Sequence, residues 1–437
     1  MADYRAKCIT VDDALALVKS GDVITVGVGA AEPRQFLTNL HRIAGRVREV
    51  TITNCLPSVP GEYLSNPDCY DAFRVESWFQ APLLRKMQNA GRVSFIPNNL
   101  HFAGQKRNAA VRTNIFICSA SMPDAGGNTT LSCSNVYEAE IARQADVVIL
   151  EISPRIPRVH GDLTLRPWEV DYLIESDYAL PELPDASPGE KDRAIGRFIA
   201  ERIHDGDCVQ IGIGGIPNAV CESLQGKRHL GVHTEMMTTG IMRLMQSGAV
   251  DNSRKQMDAG KTICCFAFGT QEMYDFLHEN PSVEIRAASW VNDPHVIARN
   301  DNQVSINTSI EIDLTGQCCS ESIGHLQYSG TGGQTDTATG AQKSKNGRSF
   351  IALYSTAVVK NAHTGRQEEI SKIVPLLKPG AAVSLSRNDV DHVVTEHGVV
   401  RLKGLSVQKR AQALISIAHP RFREELRAAA REYLFWV

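Results

Sequence analysis

Short hydrophobic runs alternate with helix-like segments along this chain of 437 residues. The runs are about four to eight residues long, which is typical of a buried strand. The segment from Pro217 to Gly226 illustrates the helices between them, because a proline opens it and a glycine closes it. Alternation of this kind predicts an α/β fold with open, mostly parallel sheets that helices cover.

The pattern near the start of the chain recurs in its second half. SGDVITVGVGAAEPRQFLTNL begins at Ser20, and DGDCVQIGIGGIPNAVCESL begins at Asp205. Both contain Gly-Asp, four residues, Gly-x-Gly, and then a proline that opens an amphipathic segment. Later runs follow in the same order, since NIFICSAS corresponds to SFIALYST and ADVVILEI to VDHVVTEH. The repeat predicts two homologous open α/β domains in tandem.

A proline-rich stretch divides the two copies. ALPELPDASPGEKD, from Ala179 to Asp192, contains three prolines and five charged residues, so a regular element is not expected there. We therefore predict an N-terminal domain over 1–180, a linker over 181–191 and a C-terminal domain over 192–437.

The second domain is the longer one, and its excess lies between Trp290 and Gln342. Within this insertion, VSINTSIEIDLT alternates apolar and polar residues from Val304 to Thr315. Strict alternation predicts one long strand with one face in the core and the other face wet or lining a site. We thus expect the second domain to carry a β-containing insertion.

Charge and composition exclude several classes of partner. The 46 Lys and Arg residues nearly balance the 49 Asp and Glu residues, for a net charge of -3. No basic run is dense enough to follow a phosphate backbone, so nucleic acid is not expected as a partner. No apolar run is long enough to span a membrane, and no signal segment is recognisable. The eleven cysteines are odd in number and lack a C-x-x-C motif, which favours reduced thiols and a cytoplasmic location.

The first candidate site is the glycine loop that runs from Gly212 to Pro217 with the sequence GIGGIP. Glycines between a strand and a helix expose backbone N–H groups beside the positive end of the helix, which suits a phosphate or a thioester oxygen. The spacing departs from the dinucleotide fingerprint, because Pro217 stands where the third glycine belongs. A simple tight turn is the alternative, and the similar turn at Gly27 and Gly29 favours that interpretation for at least one copy.

The second candidate is Glu235, in the segment GVHTEMMTTG. It follows a predicted buried strand, and open α/β sheets place reacting groups at the carboxyl ends of their strands. We expect this carboxylate to share a crevice with the glycine loop. A surface acid that merely ends a strand is the alternative.

Other chemistry finds less support in the sequence. Glu311 and Asp313 lie two residues apart and form a rival pair for acid–base work or a divalent metal, although the solvated face of a strand is the alternative. The histidines, His233, His325, His392 and His397 among them, lack metal-binding spacing, so no metal site is expected. A serine hydrolase elbow, G-x-S-x-G, is also absent from the sequence.

Six motifs occur in a familiar order: GIGGIPNAV, HTEM, AFGTQEMYDFL, WVNDP, SINTSIEIDLTGQ and SGTGGQTD. Together they resemble the acetyl-CoA hydrolase/transferase family. Within it they are most similar to the 4-hydroxybutyrate CoA-transferase and butyryl-CoA:acetate CoA-transferase branch. The resemblance covers nearly the whole chain and implies a CoA-transferase domain in each half.

The resemblance also implies roles for individual residues. Glu235 occupies the position of the family's nucleophilic glutamate. The residues that correspond to CoA contacts are Gly212, Ile213, Gly214, Gly215 and Ile216 of the glycine loop, Ser329, Gly330 and Gly333 of the S-G-x-G-G segment, and, more weakly, Asn307. The first-half loop reads GVGAAEP, so no CoA role is transferred to it.

The implied reaction moves CoA between an acyl-CoA and a short-chain carboxylate, such as 4-hydroxybutyrate, butyrate or acetate, by a ping-pong mechanism through a glutamyl-CoA thioester. CoA is a substrate in it, and no tightly bound cofactor or metal is expected. A homo-oligomer, in the simplest case a homodimer, is expected as well. The alternatives are an acyl-CoA hydrolase, a transferase specific for itaconate or succinyl-CoA, and an inactive CoA sensor.

Overall fold

The computed structural model describes residues 4–88, 91–360 and 364–433. The chain forms two compact units, each built from more than one segment. Unit 1 comprises Met1–Pro184, Thr234–Thr239 and Lys261–Asn292, and unit 2 comprises Asp185–His233, Gly240–Gly260 and Asp293–Val437.

The strands are numbered in chain order. They are β1 (Val23–Val26), β2 (Val50–Asn54), β3 (Phe73–Ser77), β4 (Val93–Phe95), β5 (Ile115–Ser121), β6 (Thr129–Thr130), β7 (Val147–Ser153), β8 (His160–Gly161), β9 (Thr164–Leu165), β10 (Tyr172–Glu175), β11 (Cys208–Ile211), β12 (Gly231–Val232), β13 (Met236–Met237), β14 (Thr262–Cys264), β15 (Phe266–Ala267), β16 (Val283–Ile285), β17 (Gln303–Thr308), β18 (Glu311–Asp313), β19 (Cys318–Cys319), β20 (Ser322–Ile323), β21 (Leu326–Gln327), β22 (Arg348–Ala352), β23 (Thr356–Lys360), β24 (Gln367–Ser371), β25 (Ile373–Val374), β26 (His392–Thr395) and β27 (Gly398–Arg401).

The α-helices are numbered in the same way. They are α1 (Val11–Leu17), α2 (Arg34–Asn39), α3 (Glu62–Ser65), α4 (Pro82–Gln88), α5 (Ala103–Ala110), α6 (Glu138–Ala142), α7 (Glu190–Ala200), α8 (Gly215–Leu224), α9 (Thr239–Gln246), α10 (Gln271–Leu277), α11 (Ala288–Val291), α12 (Pro294–Ile297), α13 (Gln334–Lys343), α14 (Val407–Ile417) and α15 (Arg423–Glu432). In the described part of the chain, no helix combines the length and the apolar character that crossing a bilayer requires.

Unit 1 is built on a seven-stranded sheet in the order β10-β7-β5-β1-β2-β3-β4. Every pair of neighbours in it is parallel. All seven residues of the central strand β5 are buried, as expected where both faces of a parallel sheet are covered. Three smaller sheets complete the unit: β6-β9, β13-β15 and β14-β16-β8.

Unit 2 is built on a six-stranded sheet in the order β12-β11-β17-β22-β26-β27. Its first five strands are parallel, and β27 runs antiparallel to β26 as the second arm of a hairpin. With two mainly parallel sheets, the predicted tandem α/β fold is confirmed. The carboxyl ends of parallel strands lie at one edge of a sheet, which is where such folds place their ligands.

One part of the predicted repeat is shifted by a strand. The repeated Gly-Asp motif precedes β1 in unit 1 and β11 in unit 2, as predicted. β1 lies between β2 and β5, and β11 lies between β12 and β17, so β17 is the counterpart of β5. The predicted correspondence between NIFICSAS and SFIALYST was therefore wrong. NIFICSAS contains β5, whose counterpart is β17, whereas SFIALYST contributes to β22, the next strand beyond β17 in the sheet. Buried parallel strands are similar enough in composition that an apolar run alone does not identify its place.

The long alternating strand predicted from Val304 to Thr315 was also wrong. The chain leaves the main sheet after Thr308, and β18 pairs instead with β19 and β25 in a separate small sheet. In β17 the polar Ser305 is fully buried, and its hydroxyl contacts Gln210 Oε1 at 2.9 Å and Thr337 Oγ1 at 3.0 Å. A polar side chain satisfied by others inside the protein gives the same sequence pattern as a wet face.

The compact units divide the chain differently from the two homologous halves. The first segment of unit 1 ends at Pro184, inside the predicted linker, and α7 begins at Glu190. Two segments from the second half, 234–239 and 261–292, belong to unit 1. They are held there by strand pairing, since β16 pairs with both β14 and β8. The domain limits predicted from the sequence, residues 180 and 192, describe the two homologous halves, and they stay a prediction.

Candidate active site

Glu235 lies in unit 1, although the sequence assigns it to the C-terminal half. Its backbone carbonyl accepts hydrogen bonds from the N–H groups of Cys265 and Phe266, at 2.9 and 3.2 Å. The thiol of Cys265 also donates to that carbonyl, at 3.0 Å. The next two residues, Met236 and Met237, form β13 and pair with β15. The main chain at Glu235 is therefore fixed from several directions.

The side chain of Glu235 is half-buried and is held by an amide. Asn292 Nδ2 donates a hydrogen bond to Glu235 Oε2 at 3.0 Å. Asn292 itself is fully buried, and its Oδ1 atom lies 3.7 Å from Cys265 Sγ, within hydrogen-bond distance for sulfur. Because the thiol faces the amide oxygen, the amide nitrogen is directed toward the carboxylate. This contact orients the carboxylate without placing a positive charge beside it.

Two further acids lie near Glu235. Burial, the largest cause, and then the charges of Glu235, Glu138 and Glu32 raise the pKa of the Cys55 thiol well above its ordinary value. Burial, followed by Glu235, Cys264 and Glu138, does the same for Cys265. Both thiols are thus neutral, which excludes them as nucleophiles at neutral pH. Three acidic side chains therefore lie close together in this part of unit 1.

Glu32 and Glu138 fix the loop that follows β1. Glu32 Oε2 accepts hydrogen bonds from the backbone N–H groups of Ser58 and Val59, at 2.6 and 2.8 Å. Burial raises the pKa of Glu32 to about 7 despite these bonds. Glu138 Oε1 accepts from the backbone N–H of Val28 at 3.0 Å, and burial raises its pKa as well. Both acids are therefore structural parts of the loops beside Glu235.

The glycine loop belongs to unit 2 and joins β11 to α8. The helix begins at Gly215, two residues earlier than the sequence predicts, with Gly214 as its N-cap at φ +112°. That φ lies in the region where only glycine is comfortable. A Cβ atom at Gly215 would lie 2.7 Å from Asp192 Oδ2, so this position also excludes larger residues. The backbone N–H groups of Gly214 and Gly215 stand at the positive end of a ten-residue helix.

The remaining loop residues differ in how they are held. Ile213 is 41% exposed, whereas Ile216 is buried in the core of unit 2. Gly212 has ordinary surroundings, with the carbonyl oxygen of Ile306 about 4.0 Å from a Cβ built on it. An exposed Ile213 offers an apolar surface to a ligand, and the buried Ile216 anchors the loop.

Asn307 is engaged in a polar network within unit 2. Its Nδ2 atom lies 2.9 Å from Ser305 Oγ, 3.0 Å from Thr337 Oγ1 and 3.3 Å from Gln210 Oε1. These contacts hold the side chain within the sheet at the end of β17. Its direct role is therefore to support that edge of the sheet, ahead of any contact with a ligand.

The S-G-x-G-G segment leads into the N-terminus of α13. Glu321 fixes it from one side, since the carbonyl oxygen of Glu321 accepts from Ser329 N–H at 2.9 Å and its carboxylate accepts from Thr331 Oγ1 at 2.7 Å. Gly330 is buried, and Gly333 is the N-cap of α13 without a capping side chain. A second helix N-terminus in unit 2 thus follows a glycine-rich loop.

Glu311 and Asp313, the rival pair of acids, do not lie on a solvated face of a strand. Both side chains are buried, at 4% and 1% exposure. Asp313 Oδ1 accepts from the backbone N–H groups of Thr315 and Gln317, at 2.9 and 3.0 Å, so this acid closes a turn. Within the described residues, no group of three or more His, Cys, Asp or Glu side chains is arranged to hold a metal ion.

The chain matches the N-terminal domain of the acetyl-CoA hydrolase/transferase family over residues 1–182 and its C-terminal domain over residues 269–430. The chain belongs to this family. Among its relatives is a succinyl-CoA:cyclohexane-1-carboxylate CoA transferase of Geobacter metallireducens, 43% identical over 98% of this chain and 96% of the relative. A 4-hydroxybutyrate coenzyme A transferase of Clostridium kluyveri is 37% identical over 97% of both chains.

Solved structures of family members share the fold. RipA from Yersinia pestis superposes with a TM-score of 0.89 at 35% identity and covers 99% of this chain and 98% of its own. A 4-hydroxybutyrate CoA-transferase from Porphyromonas gingivalis has a TM-score of 0.79 at 32% identity, with 98% of each chain covered. The resemblance found in the sequence is thus confirmed.

Sequence reasoning missed three residues in the surroundings of Glu235: Asn292, Glu32 and Glu138. Asn292 lies in the WVNDP motif, which was used only as a mark of the family. A signal was available there, since a side-chain amide in a shared motif suggests a polar contact. Glu32 and Glu138 gave no comparable signal, because acids are rarely buried and their partners are backbone amides far away in the sequence.

Proposed function

We propose that this protein is a CoA-transferase that moves CoA between an acyl-CoA and a short-chain carboxylate, with Glu235 as the nucleophile. The observation that carries the proposal is the half-buried Glu235 carboxylate, held by Asn292 Nδ2 at 3.0 Å with its main chain fixed on both sides. The names of the relatives support it, since those described above are CoA transferases.

The reaction follows from what a carboxylate can do to a thioester. An oxygen of Glu235 attacks the acyl carbon, the carbon–sulfur bond breaks, and CoA leaves as a thiolate from an acyl-glutamyl anhydride. The thiolate then attacks the carbonyl carbon of Glu235 and releases the first acid as a carboxylate. A glutamyl-CoA thioester remains. The second acid reverses both steps, so that a new acyl-CoA leaves and the Glu235 carboxylate is restored.

Several residues have proposed tasks in this sequence. Asn292 keeps the attacking carboxylate in one orientation, which lowers the entropic cost of reaching the thioester. The N–H groups of Gly214 and Gly215, together with Ile213, are proposed contacts of CoA. The other proposed contacts are Gly212, Ile216, Ser329, Gly330 and Gly333, with Asn307 as a support for them.

We propose monocarboxylates of the butyrate type as the acyl groups. The name of the Clostridium kluyveri relative, a 4-hydroxybutyrate coenzyme A transferase, supports this choice. Exchange from acetyl-CoA to a panel of acids tests this: butyrate and 4-hydroxybutyrate should exceed succinate and itaconate. A preference for succinate would contradict the assignment.

The proposal for Glu235 is tested by trapping the intermediate. Incubation with butyryl-CoA alone should give a protein adduct heavier by CoA, located at Glu235 by peptide mass spectrometry. Glu235→Gln should give no adduct and no transfer, whereas Glu272→Gln, in the exposed first turn of α10, should behave as wild type. CoA release that continues in water without an acceptor acid would instead show a hydrolase. Full activity of Glu235→Gln would refute the assignment.

We further propose that the enzyme works in the cytoplasm as a homo-oligomer, without nucleic acid or membrane partners. All eleven cysteines lie in the described residues as free thiols, and only Cys8 is not buried, which suits a reducing compartment. Light scattering after size-exclusion chromatography tests the oligomeric state, and a mass of one chain would contradict it.

A further inference from the structure

Five basic residues of unit 2 gather where three elements meet; we call them the basic cluster. Lys191 lies in the first turn of α7, and His397 lies in the turn between β26 and β27. His419 and Arg421 lie between α14 and α15, and Arg423 is the first residue of α15. The rings of His397 and His419 are 5.3 Å apart, edge to face. His419 Nδ1 accepts a hydrogen bond from the backbone N–H of Arg421 at 3.3 Å, so its Nε2 side is the donor.

Several residues of the basic cluster influence the pKa of the His397 imidazole. Burial is the main cause that lowers the pKa of His397, and Glu396 opposes it. Electrostatic interactions with His419, Arg423 and Lys191 lower it further. Basic side chains from α7, from the segment before α15 and from the first residue of α15 therefore lie near His397.

The acids nearby are already paired. Glu396 accepts from Ser355 N–H and Ser355 Oγ, both at 2.8 Å, and from Lys191 Nζ at 3.0 Å. Glu369 lies 3.5 Å from Arg421. Arg423 donates from Nε to the carbonyl oxygen of Ala418, and in the described part of the chain no carboxylate lies within 4.0 Å of it. The guanidinium of Arg423 therefore retains its capacity to bind an anion.

The position of the basic cluster also favours an anion. Arg423 is the first residue of α15, a ten-residue helix whose N-cap, Phe422, supplies no side-chain hydrogen bond. The positive end of that helix adds to the charge of the side chains. Lys191 and Arg421 are 49% and 66% exposed, so the cluster is open to solvent and to a ligand.

A chain of contacts joins the basic cluster to the glycine loop. Lys191 is next to Asp192, whose Oδ1 accepts from Tyr354 OH at 2.6 Å. Asp192 Oδ2 lies against Gly215, 2.7 Å from where a Cβ would stand. The N-terminus of α7 and that of α8 are therefore neighbours within unit 2. Lys191 of the basic cluster and the glycine loop therefore lie in the same part of unit 2.

We propose that the basic cluster binds a phosphate group at the nucleotide end of CoA. This rests on the proposed function, because it requires CoA to be the ligand of the glycine loop. CoA carries a pyrophosphate and a 3′-phosphate, separated from its thiol by the length of the pantetheine arm. Arginine binds phosphate through two N–H groups at once, which makes Arg423 the principal contact. His419 and Lys191 add single donors and charge.

The test uses the full-length enzyme and three acyl donors: butyryl-CoA, its 3′-dephospho form and butyryl-pantetheine. Wild type should show a lower KM for butyryl-CoA than for at least one truncated donor. Arg423→Gln and His419→Gln should each raise the KM for butyryl-CoA about tenfold, which corresponds to about 1.4 kcal/mol, at unchanged kcat. They should leave the KM for butyryl-pantetheine unchanged. Arg427→Gln, on the same helix, is the matched control and should change neither.

The dephospho form separates the two phosphate sites. Equal effects of the substitutions on butyryl-CoA and dephospho-butyryl-CoA identify the pyrophosphate, and an effect on butyryl-CoA alone identifies the 3′-phosphate. Equal effects on all three donors, or no effect beyond that of Arg427→Gln, would overturn the proposal. Arg423→Lys keeps the charge and should retain part of the affinity if Arg423→Gln does not fold. Absence of transfer by wild type with every donor would instead refute the proposed function.

Discussion

Replacement of Asn292 by leucine removes the donor to Glu235 while keeping nearly the same volume. The amide nitrogen lies 3.0 Å from Glu235 Oε2, and the thiol of Cys265 holds the amide in that orientation. A hydrogen bond to a charged group contributes about 1.5–3 kcal/mol. If the bond is needed to present the carboxylate to the thioester, its loss should slow CoA release about 10- to 150-fold. Because Asn292 does not hold CoA in this scheme, the KM for acyl-CoA should stay the same.

The assay is the first half-reaction, with butyryl-CoA and no acceptor acid, in which a thiol reagent reports released CoA. Circular dichroism confirms that the variant is folded. Asn114→Leu is the matched control, since Asn114 Nδ2 donates to the Asp146 carboxylate at 3.1 Å before β5, at the opposite edge of the sheet. It should leave the rate of CoA release unchanged. A rate for Asn292→Leu within twofold of wild type, or a rise in KM with kcat preserved, would refute the reasoning.

Two further predictions concern stability. Burial raises the pKa of Glu32 and of Glu151 to about 7 from an ordinary 4.5, so between these pH values the folded chain keeps protons that the unfolded chain releases. Stability should therefore fall by about 1.4 kcal/mol per pH unit for each group as pH rises from 4.5 to 7, measured by urea unfolding, and the double variant with Gln at both positions should lose this slope. In Gly215→Ala the new Cβ would lie 2.7 Å from Asp192 Oδ2, so thermal unfolding should show a loss of about 1–3 kcal/mol. Gly226→Ala, where the space is open, should be neutral, and equal behaviour of the two alanine variants would contradict the steric argument.

The sequence predicted those parts of the molecule that depend on neighbours along the chain. Apolar runs between glycine turns predicted two parallel sheets, and the turn at Gly214 was expected to open a helix. The position of Glu235 after a buried strand singled it out as a candidate. In each case the signal lies within about twenty residues, where strand length, turn geometry and helix capping act.

The parts that could not be predicted depend on segments far apart in the chain. The side chains of Glu235 and Asn292 contact each other directly, Cys265 contacts both residues, and no spacing rule joins these three positions. Glu32 is buried because backbone amides at 58 and 59 turn toward it. A buried Ser305 gave the same alternation as an exposed one, and for that reason one face of this strand was expected to be wet or to line a site.

The interleaving of the two units bears on how the chain acquires its structure during synthesis. Unit 1 is not complete until residue 292 has been made, since its β8 lacks β16 until then and its segment 234–239 lacks β15. Domains usually fold in turn as they leave the ribosome, but here the amino-terminal unit must wait while much of unit 2 emerges. The first 184 residues contain every strand of the seven-stranded sheet but leave β8 without its partner strand. A ribosome stalled at that point would hold a chain with an exposed strand edge at β8.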